Sequence, residues 1–303
     1  MTPNQDHSDI RNAVRALCAA YPDEYFRAID AQRGYPEAFV DALMRAGWLA
    51  AMIPEEYGGA GLGLAAASVI MEEINRCGAN AGAVHGQMYN MGTLLRNGTR
   101  EQKQRYLPQI AAGELRIQSM AVTEPTTGTD TTKLKTTAVR RGDRYIVNGQ
   151  KVWTSRVQHS DLMVLLARTT PLTEVKRKSD GMSVFIVDLR ESIGHGLTVR
   201  PIANMVNHET NELFFDCLLY TSTTTTSPQN ALPASAAKAR RSHRATWRLP
   251  AACRADASSS PPTVPIPIAA SSGAFTRCRA MQTPMSFQAH WSPTIREGSS
   301  TAS

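Results

Sequence analysis

Acidic side chains nearly vanish from the last third of this 303-residue chain. Residues 217–303 hold only Asp256 and Glu297 against nine lysines and arginines, which leaves 24 basic and 24 acidic residues in 1–216. The formal net charge of +7 therefore lies wholly beyond Asp216. That stretch has no interleaved aromatics and no nucleic-acid fold signature, so no nucleic-acid partner is expected. No run of about 18 apolar residues occurs, and no membrane span is expected. The opening Met1-Thr-Pro-Asn-Gln-Asp-His-Ser-Asp9 has neither a basic nor an apolar region, which argues against a secretory signal. The five cysteines (Cys18, Cys77, Cys217, Cys253, Cys278) show no CxxC and no framework spacing, which fits a reduced, cytoplasmic protein. Hydrophobic period is missing too once Phe215 is passed. Nine of the seventeen prolines fall there, among Ser, Thr and Ala. Such a stretch buries too little apolar surface to offset the entropy of ordering, so 217–303 is expected to be a low-complexity, disordered tail.

What remains is strongly patterned. Before about residue 115 the apolar spacing is helical. Pro36 suits a helix start, and Phe39, Val40, Leu43 and Ala46 follow until Gly47 stops the run. Leu64 to Arg76 predicts another helix, closed by Gly78, and Ala81 to Leu95 a third. Thr99 with Gln102 is a capping-box pattern opening a short helix that Pro108 is expected to limit. Near Leu115 the period falls from 3.6 to 2. Strands are predicted at Leu115–Val122, Thr136–Arg140, Tyr145–Val147, Lys151–Ser155, Leu162–Arg168, Met182–Asp188, Leu197–Ile202 and Glu212–Phe215. Hairpin turns are expected at Arg141-Gly142-Asp143 and at Asn148-Gly149. The expected architecture is α+β: an all-α domain over 1–115, a small antiparallel β-barrel domain over 116–216, and the tail over 217–303.

Two segments carry chemistry. Met120-Ala-Val-Thr-Glu-Pro-Thr-Thr-Gly-Thr-Asp130 runs a strand into Pro125 and then into a loop of small hydroxylated residues. Proline fixes the turn and Gly128 permits close backbone approach, so free amides and hydroxyls can meet an anionic or carbonyl-rich ligand. Taken alone, an ordinary polar loop is the plainer reading. Val147-Asn-Gly-Gln-Lys-Val-Trp-Thr-Ser155 reads as a hairpin whose returning strand sets Trp153 and Ser155 on one face. An indole beside a hydroxyl suits a flat heteroaromatic ring, although alone it is equally a core tryptophan with a surface serine.

Together, in order and spacing, the two segments resemble the flavin-binding signatures of the acyl-CoA dehydrogenase family. Pro54-Glu-Glu-Tyr-Gly-Gly59 and Leu213-Phe-Phe-Asp216 also resemble family landmarks, and the likeness spans roughly residues 8–216. It implies an FAD enzyme that desaturates an acyl-CoA thioester between its α and β carbons, a carboxylate taking the α proton as a hydride passes to the flavin. It implies acyl-CoA as substrate, an electron-transferring flavoprotein as acceptor, and a homotetramer or dimer. By motif match Val122 and Thr123 would meet the ring's polar edge, with Met120 also among the cofactor-binding residues. Gly128 and Thr129 would lie near the pyrophosphate, with Thr129 also close to the acyl-CoA. Trp153 would cover the ring, flanked by Thr154, and Ser155 would hydrogen-bond to it. Thr129 and Ser155 exchange hydroxyl residues relative to the usual pattern, and each keeps a donor and an acceptor.

The family pattern also implies a C-terminal helical bundle carrying the catalytic glutamate, and nothing after Asp216 matches it. Glu297 has no family context, so no catalytic residue is assigned and the chain is expected to be inactive. Cys217-Leu-Leu-Tyr-Thr-Ser222 resembles the translation of a transposon end, so the remainder reads as unrelated sequence. Two alternatives stay open: a non-catalytic flavin- or acyl-CoA-binding fragment, and an oxidase or monooxygenase on the same fold. The other patterns have plain readings. Gly61-x-Gly63-x-x-Ala66 follows no strand and reads as a helix-entry turn. His208-Glu209 lacks partner ligands, so no metal is expected. Glu72 and Glu73 read as a solvated helix face, and Met88 and Met91 as core or pocket lining.

Overall fold

A computed structural model describes residues 7–221, and the expectations for 222–303 lie outside the described residues. The helical part contains α1 (Ser8–Cys18), α2 (Asp23–Ala31), α3 (Glu37–Arg45), α4 (Leu64–Arg76), α5 (Gly82–Asn97) and α6 (Arg100–Ala111). Its core joins Val14 of α1, Phe39, Val40 and Leu43 of α3, Ile70 and Ile74 of α4, and Val84 and Met88 of α5. Each such side chain stabilises by roughly 1.5–3 kcal/mol on burial. Gly47 ends the α3 region at φ 78°, as a helix-stopping glycine does. The capping box at α6 is complete: Gln102 N donates to Thr99 Oγ1 at 3.2 Å, and Thr99 N donates to Gln102 Oε1 at 3.0 Å. Pro108 does not end that helix, which runs on to Ala111. Leu107 and Ile110 are buried on either side of it, so packing holds the last turn despite the missing N–H. Among the described residues no helix is long and apolar enough to cross a membrane.

Glu73 departs from expectation. Glu72 stays exposed, but the Glu73 side chain is fully buried between α4 and α1. Arg15 Nε donates to it at 2.6 Å, and Arg11 also closes on it. The stripe of Ala66, Val69, Ile70 and Ile74 turns Glu73 toward α1, where two guanidinium groups receive it. The Arg15 hydrogen bonds, reinforced by Arg11 against the opposing effect of burial, hold its carboxyl at about 2 rather than 4.5. A depressed folded-state value means the contribution is present above about 4.5 and lost as pH falls toward about 2. The thermal midpoint is expected to drop across that window, and Glu73→Gln to flatten the drop in scanning calorimetry.

The second part is one curled sheet. Its strands are β1 (Ser119–Ala121), β2 (Thr137–Arg141), β3 (Arg144–Ser155), β4 (Leu162–Arg168), β5 (Met182–Asp188), β6 (Leu197–Pro201) and β7 (Thr210–Thr221), with the short helix α7 (Leu189–Ser192) after β5. The order is β1-β4-β2-β3-β7-β6, with β5 also on β4. The expected antiparallel barrel is corrected to a mixed sheet, because β1 and β2 both pair with β4 in parallel. The reason lies at one anchor. Arg116 O accepts the N–H groups of Asp161 and Leu162, and Asp161 Oδ2 accepts Arg116 N at 2.7 Å. The chain therefore enters β1 and β4 from the same place and in the same direction. Leu162 and Val164 of β4 pack with Met91, Leu94, Leu107 and Ile110, while Met163, Leu165 and Ala167 face the sheet's own core. A strand buried on both faces reads as a continuous apolar run.

Two further expectations change. Gly142-Asp143 is the expected two-residue turn, with Arg141 opposite Arg144. Asn148-Gly149 is not a turn. The two predicted runs form one twelve-residue strand, β3, with a bulge between Val147 and Gly149. Strand β7 also continues through residues 217–221, which were expected in the patternless tail. Leu218 is buried and Leu219 exposed, so the alternation simply extends along the open edge of β3.

Candidate functional site

The sheet brings the two chemistry-bearing segments side by side. Val152 N–H donates to Thr123 O at 2.9 Å, joining the end of β1 to the end of β3. Between Val122 and Asp130 the chain makes a tight reciprocal turn, Glu124 N to Thr127 O at 2.9 Å and Thr127 N to Glu124 O at 3.1 Å. Pro125 and Thr126 occupy its corners, as proline's fixed φ favours. Gly128 and Thr129 follow it, exposed. Gly128 backs onto Thr123, whose methyl carbon would lie 4.0 Å from a Cβ placed there. Arg168 steadies the far side of the loop through Thr132 O at 2.8 Å.

Strand β3 carries a second irregularity between Lys151 and Thr154. Trp153 sits there at φ 61°, a left-handed conformation that costs a bulky residue of order 1–3 kcal/mol. A bulge re-aims side chains, and here the indole is 60% exposed while both neighbours are sheltered. Thr154 faces inward; its hydroxyl is buried and finds no partner among the described residues. Ser155 is half-buried and its Oγ accepts from Asn207 Nδ2 at 3.0 Å, which leaves its own proton to donate. Met120, on β1, is half-buried against the helix–sheet core.

The amides of this edge are unevenly occupied. The carbonyls of Val122 and Thr123 are both taken, by Lys151 Nζ at 2.9 Å and by Val152 N. Among the described residues the N–H groups of Val122 and Thr123 have no partner. Two unpaired donors beside an exposed indole are chemically suited to a flat group with polar atoms on its rim.

Behind the edge lies an ion pair. Lys151 is fully buried, and its Nζ reaches Glu124 Oε1 at 2.9 Å. Glu124 also accepts Lys135 N at 2.6 Å and Thr136 N at 2.9 Å. Burial works to raise the Glu124 carboxyl, but these hydrogen bonds outweigh it and bring it below its ordinary value. Burial pushes the Lys151 ammonium down, and Glu124 opposes that. In the sequence both residues lie inside the two motifs with nothing in either motif alone that marks a role, and nothing there marks Asn207. A lysine at an inward-facing strand position, with a glutamate in the neighbouring motif, was the available signal.

A depression of about 610 Å³ lies elsewhere, lined by Arg105, Tyr106, Asp188, Glu191 and Tyr220 among others. None of the expected site residues lines it. The remaining patterns fall into structural roles. Gly63 caps α4, His208 Nε2 meets Asp30 Oδ1 at 2.8 Å, and Met88 and Met91 are core. No group of three or more potential metal ligands occurs among the described residues.

Comparison with known proteins gives the family. The acyl-CoA dehydrogenase N-terminal domain matches residues 4–114, and the acyl-CoA dehydrogenase middle domain matches residues 119–218. The acyl-CoA dehydrogenase FadE26 of Mycobacterium tuberculosis is 33% identical over 219 residues, covering 71% of this chain and 54% of that protein. The crystal structure of acyl-CoA dehydrogenase from Geobacillus kaustophilus superposes with a TM-score of 0.66 at 30% identity, over 75% of this chain and 59% of that one. A structure reported as the electron transferring flavoprotein of Acidaminococcus fermentans gives 0.65 at 27% identity, over 75% and 60%. The chain thus spans about half the length of the curated relatives it matches. On the matched helical and sheet domains, this chain belongs to the acyl-CoA dehydrogenase family.

Proposed function

We propose that residues 7–221 form the flavin-ring half of an FAD-dependent acyl-CoA desaturation site. The observation that carries this reading is the pair of unpaired amide donors at Val122 and Thr123 beside the outturned indole of Trp153. The residues present fit the group. Val122 and Thr123 donate to the polar rim, Trp153 covers a face, and the Ser155 hydroxyl donates alongside. Met120 and Thr154 support the edge from beneath. Gly128 and Thr129 offer exposed backbone and a hydroxyl to the pyrophosphate, and Thr129 also to acyl-CoA. When bound, FAD would supply the hydride acceptor for α,β-desaturation. An electron-transferring flavoprotein as final acceptor, a reduced cytoplasmic setting and an assembly of two or four copies belong to the same proposal.

Desaturation also needs a carboxylate free to take a proton from the α carbon, within hydrogen-bond reach. Carboxylates on the elements that build this edge are already engaged, Asp130 of the loop by the Thr132 hydroxyl at 2.5 Å and by Lys133 Nζ at 3.3 Å. Glu124 holds Lys151, Glu209 faces Arg156 Nε at 3.4 Å, and Glu212 holds Gln150. The described residues therefore bind and orient without supplying the base. The test is reconstitution of the full chain with FAD, followed by anaerobic addition of a saturated acyl-CoA. A bound flavin spectrum that acyl-CoA does not bleach is expected. Rapid bleaching would overturn the non-catalytic reading, and absence of flavin uptake would overturn the cofactor.

A further inference from the structure

The Lys151 ammonium makes two hydrogen bonds of equal length, and only one of them serves its charge. The bond to Glu124 Oε1 at 2.9 Å neutralises a fully buried cation. The bond to Val122 O, also 2.9 Å, goes to an uncharged carbonyl in the adjoining segment. That carbonyl and the Thr123 N–H are two ends of one peptide group. Thr123 N–H is also one of the two donors of this edge that have no partner among the described residues.

We propose that Lys151, held in place by Glu124, is a positioning residue that polarises the Val122–Thr123 peptide group and makes Thr123 N–H the strong donor of the site. A charge-assisted hydrogen bond is roughly twice as strong as a neutral one. Drawing electron density toward the carbonyl leaves the N–H of the same peptide more positive, and chains of hydrogen bonds strengthen one another in this way. The surrounding bonds fix its direction. Val152 N holds Thr123 O, so the next peptide cannot rotate. Lys135 N and Thr136 N hold Glu124, so the ammonium cannot follow its partner away from Val122. The inference rests on the flavin reading for its consequence, a rim that draws electron density toward Thr123. It rests on the ion pair alone for its physics.

The experiment uses the full chain labelled with nitrogen-15 and two variants, Lys151→Met and the double Glu124→Gln/Lys151→Met. The double leaves no unpaired buried charge and serves if the single does not fold. Without flavin, the Thr123 amide proton is expected to move upfield in both, while the Ala138 and Val147 amides stay in place and report an intact sheet. With FAD, the dissociation constant of the double is expected to rise about tenfold. The flavin midpoint is expected to fall by ~30 mV, the two-electron equivalent of a tenfold preference. A folded double variant whose Thr123 signal does not move overturns the proposal, as does one whose bound-flavin midpoint is unchanged. If Thr123 moves and the wild-type chain takes up no FAD, the flavin reading falls and the polarised peptide stands.

Discussion

Replacing Glu124 by alanine is expected to lower the unfolding free energy of residues 7–221 by about 3–5 kcal/mol, the range for breaking a buried ion pair by removing one partner. The substitution strands more than a charge. Lys151 is left fully buried with only a carbonyl to hold it, and the Lys135 and Thr136 amides lose their acceptor together. The Thr136 amide is buried and, once orphaned, carries its own desolvation cost of roughly 1–3 kcal/mol, so the expected loss lies toward the top of the range. Neutralising both partners instead should cost far less, because a buried pair replaced as a unit is often close to neutral in stability. Urea titrations of the wild type, Glu124→Ala and the double Glu124→Gln/Lys151→Met separate the cases. The midpoint should collapse in the first variant and move little in the second, with unchanged m-values showing that the denatured state is the same. Because the Glu124 carboxyl is held below its ordinary value, its contribution is present above that value and is lost as pH falls. The Glu124→Ala deficit should therefore shrink in acid. An equal deficit at neutral and acidic pH would show that the charge is not what the pair contributes.

The sequence made some of this legible and hid the rest for identifiable reasons. Helix α4 and strands β4 and β5 lie where hydrophobic period alone places them, at Leu64–Arg76, Leu162–Arg168 and Met182–Asp188. In α4 and β5 the period is uninterrupted, in β4 the run is continuously apolar, and flanking residues punctuate all three. Partnership is another matter. Nothing in the local pattern of Ser119–Ala121 says that its neighbour is β4 and not β2, or that they run in parallel, because pairing direction depends on the anchor at Arg116 and Asp161. Buried charge was hidden for a similar reason. Glu73 and Lys151 look like surface residues until the elements that neutralise them, α1 and the Glu124 turn, are brought alongside. At the candidate site the residue types were readable, and the direction of each side chain was not. Thr154 faces inward and Trp153 outward because of a bulge that no periodicity registers.

Gly149→Ala is expected to destabilise the sheet by about 2–6 kcal/mol, combining backbone strain of about 1–3 with overpacking of about 1–3. Asn-Gly between two β-branched runs is ordinarily the signature of a two-residue hairpin, where a methyl group would point into solvent. In the structure Gly149 lies within β3, opposite Phe215, at φ 146°. A Cβ there would stand 2.6 Å from Thr136 Cα, and backbone cannot yield as a flexible side chain can. Gly142 is the internal control. It occupies the true turn at φ 64° with nothing within 4 Å of its missing Cβ, so Gly142→Ala should cost only the left-handed penalty of roughly 1–2 kcal/mol. The two substitutions would cost alike if Asn148-Gly149 were the turn its sequence suggests. Thr136 connects the bulge to function, since its amide holds Glu124 and its hydroxyl donates to Gln150 O at 3.2 Å. Pushing Thr136 aside should therefore loosen Glu124 and Lys151 together. Trp153, four residues along the same strand, should then report the change through its fluorescence before global unfolding, and Gly142→Ala should leave that signal untouched.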